Sequence, residues 1–286
     1  IRERSSFAAR AVVENAESER ESLEHRRLRG GEWWRELSVW ADVDEATFLD
    51  HRWQNNNSVK SVADLEKAVG EVVGPDFIDD VKDGIERAHV LGHDRGARVS
   101  YRLALDHPDR VARLGIVEVV PTGDFWAAWT AELALKAYHW TFLAQPAPLP
   151  ERMILSDGAG YLDWTLASWT KAGDLSVFSQ AALASYRAQA SDPARVGAMC
   201  ADYRAGAGID RQLDEADRRA GRRIAAPLHF IWAEAGFPAR SGDPLSCWKA
   251  WAREVTGAVI PGVGHFAMDE APDAVIAEFL HHFAAA

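Results

Sequence analysis

Five consecutive residues carry the strongest chemical signal in this sequence. Gly92-His93-Asp94-Arg95-Gly96 has the form glycine–x–acid–x–glycine. Glycines at that spacing permit a sharp turn between a strand and a helix, which lifts the central side chain above the sheet and lets the helix pack close. The central residue is an aspartate. A carboxylate attacks saturated carbon to give an alkyl ester, which water then opens at its carbonyl carbon. A helix N-terminus beside it keeps the carboxylate ionised and can stabilise an oxyanion. Taken alone, the stretch fits an ordinary N-cap aspartate about as well.

Two further features weigh toward chemistry. Gly262-Val263-Gly264-His265-Phe266 follows the last expected strand. That is where the histidine belongs in the chain order nucleophile, acid, histidine, and His265 would activate the hydrolytic water. Two carboxylates compete for the orienting acid. Glu118 ends a strand in Ile116-Val117-Glu118-Val119-Val120-Pro121, and Glu234 ends another in Ile231-Trp232-Ala233-Glu234. Either could reach the histidine, and the other would be an ordinary strand-end carboxylate.

The elements that must position these groups begin near residue 88. Short apolar runs at His89–Gly92, Leu114–Val117, Pro227–Trp232 and Ala258–Ile260 read as strands. A helix over Ala97–Leu105 and a closing helix over Ala274–Phe283 alternate with them, which predicts a parallel sheet of α/β class. About a hundred residues rich in Trp and Ala separate the second strand from the third. A structureless loop of that length is implausible, so residues 123–215 are expected to form a helical cap over the strand ends. Residues 88–122 and 216–286 then make the core.

Residues 1–87 read differently, as helical and without strands. Ala8–Leu28 has amphipathic content with many charges, Ser61-Val62-Ala63-Asp64 has capping-box spacing ahead of Leu65, Val69 and Val72, and Pro75 opens another helix. Gln54–Asn57 reads as a loop. These 87 residues hold 13 Lys+Arg against 20 Asp+Glu, most of the whole chain's net charge of −11. An acidic chain argues against a nucleic-acid partner. A length of 286 residues with 48% hydrophobic and 26% charged side chains fits one large folded domain, or one with an insertion. No apolar run approaches the ~18 residues of a membrane span, and Ile1-Arg2-Glu3-Arg4 lacks a signal-like apolar region. Cys200 and Cys247 are too few for a disulfide framework or a four-ligand zinc site. A cytoplasmic protein without a metal is expected.

From residue 88 onward the chain resembles the haloacetate (fluoroacetate) dehalogenases of the α/β-hydrolase superfamily. The likeness rests on Gly92–Arg98, Ala104–Pro108, Val120-Pro121-Thr122, Tyr138-His139-Trp140, Gln145–Pro148, Cys200–Ala205 and Gly264-His265-Phe266. It implies the C-terminal half of an α/β-hydrolase sheet with an inserted helical cap, no cofactor, and a homodimer. It assigns Asp94 as nucleophile, His265 as base and Glu118 as acid. The family usually has Asp at that last position, whereas related haloalkane dehalogenases have Glu. Arg95 and Arg98 would grip the carboxylate of a small anionic substrate, and His139, Trp140 and Tyr203 would hold the halide. Guanidinium forks suit a carboxylate, and imidazole, indole and phenol donors held dry suit a departing fluoride. Core packing is the simpler expectation for Trp140 and Tyr203 alone, and solvated helix charges for the arginines alone.

The N-terminal third follows another pattern. Trp40–Asp44, His51–Gln54 and Asp83–Ala88 resemble the N-terminal segment of lysine 2,3-aminomutases, a family whose C-x3-C-x2-C cluster motif is absent here. No His-Gly dipeptide, the usual source of one oxyanion donor, precedes Asp94. A junction of two unrelated pieces near residues 86–90 is therefore expected, with an unpaired sheet edge beside the nucleophile strand and ester hydrolysis impaired more than ester formation. An epoxide hydrolase on the same scaffold and an inactive truncated chain are the competing readings.

Overall fold

A computed structural model describes residues 11–14, 87–240 and 243–284. Five strands form one sheet: β1 (Ala11–Glu14), β2 (Ala88–His93), β3 (Val111–Val117), β4 (Leu228–Ala233) and β5 (Val255–Ile260), in that spatial order. β2 to β5 are parallel. β2 and β4 are short apolar runs covered on both faces, as parallel strands require.

Alternate residues along the strands face two cores. On one side Val90, Ile116 and Phe230 pack with Tyr101 of α1 (Asp94–Asp106) and Trp248 of α10 (Pro244–Trp251). On the other, Leu91, Val117 and Ile231 pack with Val275 and Phe279 of α12 (Pro272–Ala284). The turn from β2 into α1 is tight enough that a Cβ on Gly92 would lie 2.6 Å from both the Ala97 Cα and the Gly96 carbonyl oxygen. Glycine is therefore a steric requirement there.

Between β3 and β4 the chain is helical: α2 (Thr122–Ala127), α3 (Ala131–Lys136), α4 (Tyr138–Leu143), α5 (Leu149–Ser156), α6 (Gly158–Trp169), α7 (Gln180–Ala190), α8 (Pro193–Ala207) and α9 (Ile209–Arg219). Local sequence sets several starts. Asp157, Ser179 and Asp192 accept from backbone N–H groups in the first turns of α6, α7 and α8, and Pro193 occupies the first position of α8. An aromatic core that includes Phe125, Trp140 and Tyr203 joins α2 to α6 and α8, and a second cluster of Leu162, Leu166, Phe178, Leu183 and Tyr186 seats α7 on α6. α11 (Ala267–Glu270) sits just after the loop that carries His265.

One expectation is overturned. Residues 1–86 do contain a strand: Ala11–Glu14, inside the stretch read as an amphipathic helix, pairs antiparallel with β2, Ala11 opposite Gly92 and Glu14 opposite His89. The β2 edge expected to stand open is thus occupied along those residues. The open N–H and C=O row of β2 is a template that an Ala-Val-Val run satisfies well, and pairing outweighs the weak helical pattern of the neighbouring charges. The helices expected near Ser61 and Pro75, the Gln54–Asn57 loop, the aminomutase-like stretches and the missing His-Gly loop lie outside the described residues. No helix among the described residues is long and apolar enough to cross a membrane.

Candidate active site

Three side chains meet at the carboxyl ends of the parallel strands. Asp94 comes directly after β2, Glu118 one residue after β3, and His265 from the loop after β5. Ligand sites in parallel sheets gather at that edge. Asp94 and Glu118 both adopt left-handed backbone, φ 49° and 62°, which costs of order 1–3 kcal/mol at each non-glycine residue. The surrounding contacts impose it. His93 ends the strand with extended backbone, and its Nε2 lies 2.9 Å from the His265 carbonyl oxygen. His265 N–H donates to the Trp169 carbonyl at 2.9 Å, tying the loop to the end of α6.

The His265 ring lies between two carboxylates. Its Nε2 is 3.9 Å from Asp94 Oδ1, and its Nδ1 is 3.4 Å from Glu118 Oε2. Glu118 is 1% exposed and also accepts from the Ala233 N–H. Glu234 instead accepts from Gly262 N–H at 3.1 Å in an exposed turn. Of the two competing acids, Glu118 is the one beside the imidazole. Gly236 presses on the Glu118 carboxylate so closely that a Cβ there would overlap both of its oxygens.

The electrostatics follow from this packing. Burial alone would raise the Asp94 carboxyl, but His265, His93, Arg95 and Arg98 outweigh it and hold it below the usual carboxylate range. Burial works against a charged His265, yet the Glu118 hydrogen bond and the Asp94 charge raise its affinity for a proton. Burial raises the Glu118 carboxyl against the pull of His265. For His139, burial outweighs the Asp94 charge and pushes it down to about 4, so it is neutral at pH 7.

A cavity of about 60 Å³ opens beside these groups, lined by Asp94, Arg98, Glu118, His139, Trp140, Tyr203 and His265. Phe125, Tyr161 and Trp169 also line it.

The two arginines are wired differently. Arg98 donates to the Val120 carbonyl at 3.2 Å and to Thr122 Oγ1 at 2.9 Å, and sits 4.5 Å from the Trp140 ring centre. Both of those hydrogen-bond acceptors are neutral. Arg95 lies one turn back, 4% exposed, with its fork on Asp202 of α8: Nη2 to Oδ1 at 2.7 Å, and Nε against Oδ2. Sequence reasoning gave Asp202 no role, although it stands within Cys200–Ala205. Nor did it single out Thr122, which anchors Arg98, or the buried Asp214 that reaches Thr122 through the Tyr101 hydroxyl. These links join residues 21 to 113 positions apart, and no local spacing announces them.

The α/β-hydrolase family profile matches residues 25–278. The chain belongs to the α/β-hydrolase family. It is 37% identical over 200 residues to the fluoroacetate dehalogenase of a Burkholderia sp., covering 69% of this chain and 64% of that relative's length. A candidate epoxide hydrolase from Pseudomonas aeruginosa superposes with a TM-score of 0.68 at 45% identity, over 77% of this chain and 72% of that one. The soluble epoxide hydrolase of Corynebacterium sp. (strain C12) is 28% identical over 205 residues, 70% of this hydrolase and 68% of that one. Hydrolytic chemistry on a shared scaffold is common to these similarities.

Proposed function

We propose that this α/β-hydrolase removes halide from a short 2-haloacid such as a haloacetate. An Asp94 oxygen attacks the halogen-bearing carbon. A C–O bond forms as the C–halogen bond breaks, and the halide leaves with the bonding pair. His265 then takes a proton from water, and the hydroxide adds to the Asp94 ester carbonyl. Collapse breaks the ester C–O bond, the departing oxygen takes the proton back from His265 to leave as the hydroxyacid, and Asp94 returns with one oxygen from water. Glu118 holds the imidazole and stabilises its charged form. His139, Trp140 and Tyr203 meet the departing halide, and the first turn of α1 faces the oxyanion. As written, each step uses only this chain and water.

The observation that carries the substrate class is Arg98. A buried guanidinium on the cavity wall, hydrogen-bonded only to neutral oxygens, favours an anionic ligand over a neutral one. The small volume fits a two-carbon acid. The ionised Asp94 is the form that attacks. A protonated His265 cannot act as base, so hydrolysis of the ester should slow as pH falls through its raised pKa.

Epoxide hydrolysis is the second reading. Tyr161 and Tyr203 both line the cavity, where two phenols could donate to an epoxide oxygen, and two of the relatives above carry that description. Incubation with fluoroacetate, chloroacetate and styrene oxide separates the two. Halide release with no diol supports the haloacid reading. Diol without halide replaces it.

A further inference from the structure

We propose that Asp214 is a positioning residue that fixes the Arg98 guanidinium through the hydroxyls of Tyr101 and Thr122. This deepens the haloacid reading and, in its effect on substrate, rests on it. Three elements supply the link: Tyr101 lies one turn beyond Arg98 on α1, Thr122 opens α2, and Asp214 stands on α9. None of the four residues is more than 6% exposed. The Tyr101 hydroxyl lies 3.0 Å from Asp214 Oδ2, 3.2 Å from Asp214 Oδ1 and 3.0 Å from Thr122 Oγ1, and it accepts from Thr122 N–H at 3.1 Å. Asp214 Oδ2 also accepts from Gly123 N–H at 2.9 Å, which seats α9 on the start of α2.

These contacts give the hydroxyl protons one direction. An ionised carboxylate only accepts, and each hydroxyl has a single proton to give. The Tyr101 proton therefore points at Asp214, and the Thr122 proton points at the Tyr101 oxygen. A Thr122 lone pair is left for Arg98 Nη1, 2.9 Å away. The anion at the far end thus orders the acceptor that holds the guanidinium. Asp214 does not line the cavity, so it never competes with a substrate carboxylate for Arg98. Burial and the neighbouring Arg95 work against a charged Arg98, and Asp214 is one of the groups that work for it. Without the acceptor, the Tyr101 proton turns to Thr122. The buried Thr122 proton then either goes unpaired or takes the place of the lone pair that Arg98 uses.

The test uses the full chain at about pH 8, above the value of about 6 to which burial raises the Asp214 carboxyl. Asp214→Leu removes the acceptor and leaves no room for a water in its stead. Its chloroacetate KM should rise about tenfold, the scale of one hydrogen bond to a charged group, with kcat within about threefold. Asp214→Asn, which keeps an acceptor without the charge, should fall between Leu and wild type. A second readout needs no substrate: heteronuclear NMR of the arginine side chains, with the Arg98 signal assigned by its loss in Arg98→Met. The Arg98 Nη protons should be separately resolved in wild type and merged by faster rotation in Asp214→Leu. A KM within about threefold of wild type, an equal loss in kcat, or an Arg98 signal that the substitution leaves unchanged overturns the proposal. If Asp214→Leu gives no cooperative melt, Tyr101→Phe, which keeps Asp214 and cuts the link, decides on the same criteria. If wild type releases no chloride from chloroacetate, the haloacid reading falls, and the Arg98 signal alone judges Asp214.

Discussion

Replacing Arg98 with methionine removes the cation that the account assigns to the substrate carboxylate. Each charge-assisted hydrogen bond is worth ~1.5–3 kcal/mol. At 1.36 kcal/mol per factor of ten, losing one raises the haloacetate KM by roughly 10- to 150-fold, and losing a bidentate pair by more. The fold should tolerate this change. Arg98 donates only to the Val120 carbonyl and Thr122 Oγ1, so no carboxylate is stranded. Arg95→Met is the contrast, because it leaves the buried Asp202 charge without its guanidinium. Breaking a buried pair by one partner costs about 3–5 kcal/mol, a fall in Tm of roughly 6–20 °C at this chain size. The assays are halide release against substrate concentration, inhibition by acetate, and a thermal melt. Diol formation from any accepted epoxide should not change by the same factor. A haloacetate KM within about threefold of wild type for Arg98→Met, in a folded protein, would refute the reasoning.

Three further outcomes follow from the same geometry. Glu118→Gln should lower turnover by about 10²–10⁴ by removing the charge that orients His265, whereas Glu234→Gln, which touches only a turn N–H, should stay within a few-fold; steady-state halide release compares them. Gly236→Ala forces a methyl into the Glu118 carboxylate and should cost at least about tenfold in turnover with little change in KM, since the nucleophile is untouched. Asp214 is buried, and burial raises its carboxyl to about 6 despite hydrogen bonds from Gly123 N–H and the Tyr101 hydroxyl. Its folded pKa lies above the unfolded value. The stability it contributes is therefore complete below about pH 4 and lost as pH rises through 6, on the order of 2–3 kcal/mol. Asp214→Asn should flatten that part of the melting profile between pH 4 and 7, and a profile parallel to wild type would count against this assignment.

Much of the core was legible because it is local. Each strand of the parallel set contains a short apolar run, and each proposed catalytic residue stands beyond the end of one. The glycine frame around Asp94 reflects a steric demand visible in spacing alone. Strand position alone left Glu118 and Glu234 open, since both end strands; the family resemblance favoured Glu118, and the approach of the His265 loop is what puts that carboxylate, and not Glu234, beside the imidazole. Asp202 was hidden because it matters through a partner 107 residues away in the sequence. β1 was missed because four residues of strand have no period of their own, and their pairing comes from the edge of β2. Trp140 and Tyr203 answer to packing and cavity at once, so neither expectation about them excludes the other.

The central claim is a covalent bond to Asp94, and mass spectrometry of the intact His265→Gln variant after incubation with chloroacetate tests it most directly. Without its base the second step stalls, so the account predicts a stable gain of one carboxymethyl group, mapped by peptide digestion to Asp94 and absent in the Asp94→Asn protein. A folded His265→Gln protein that releases chloride yet carries no adduct, or carries it on another residue, would contradict the account.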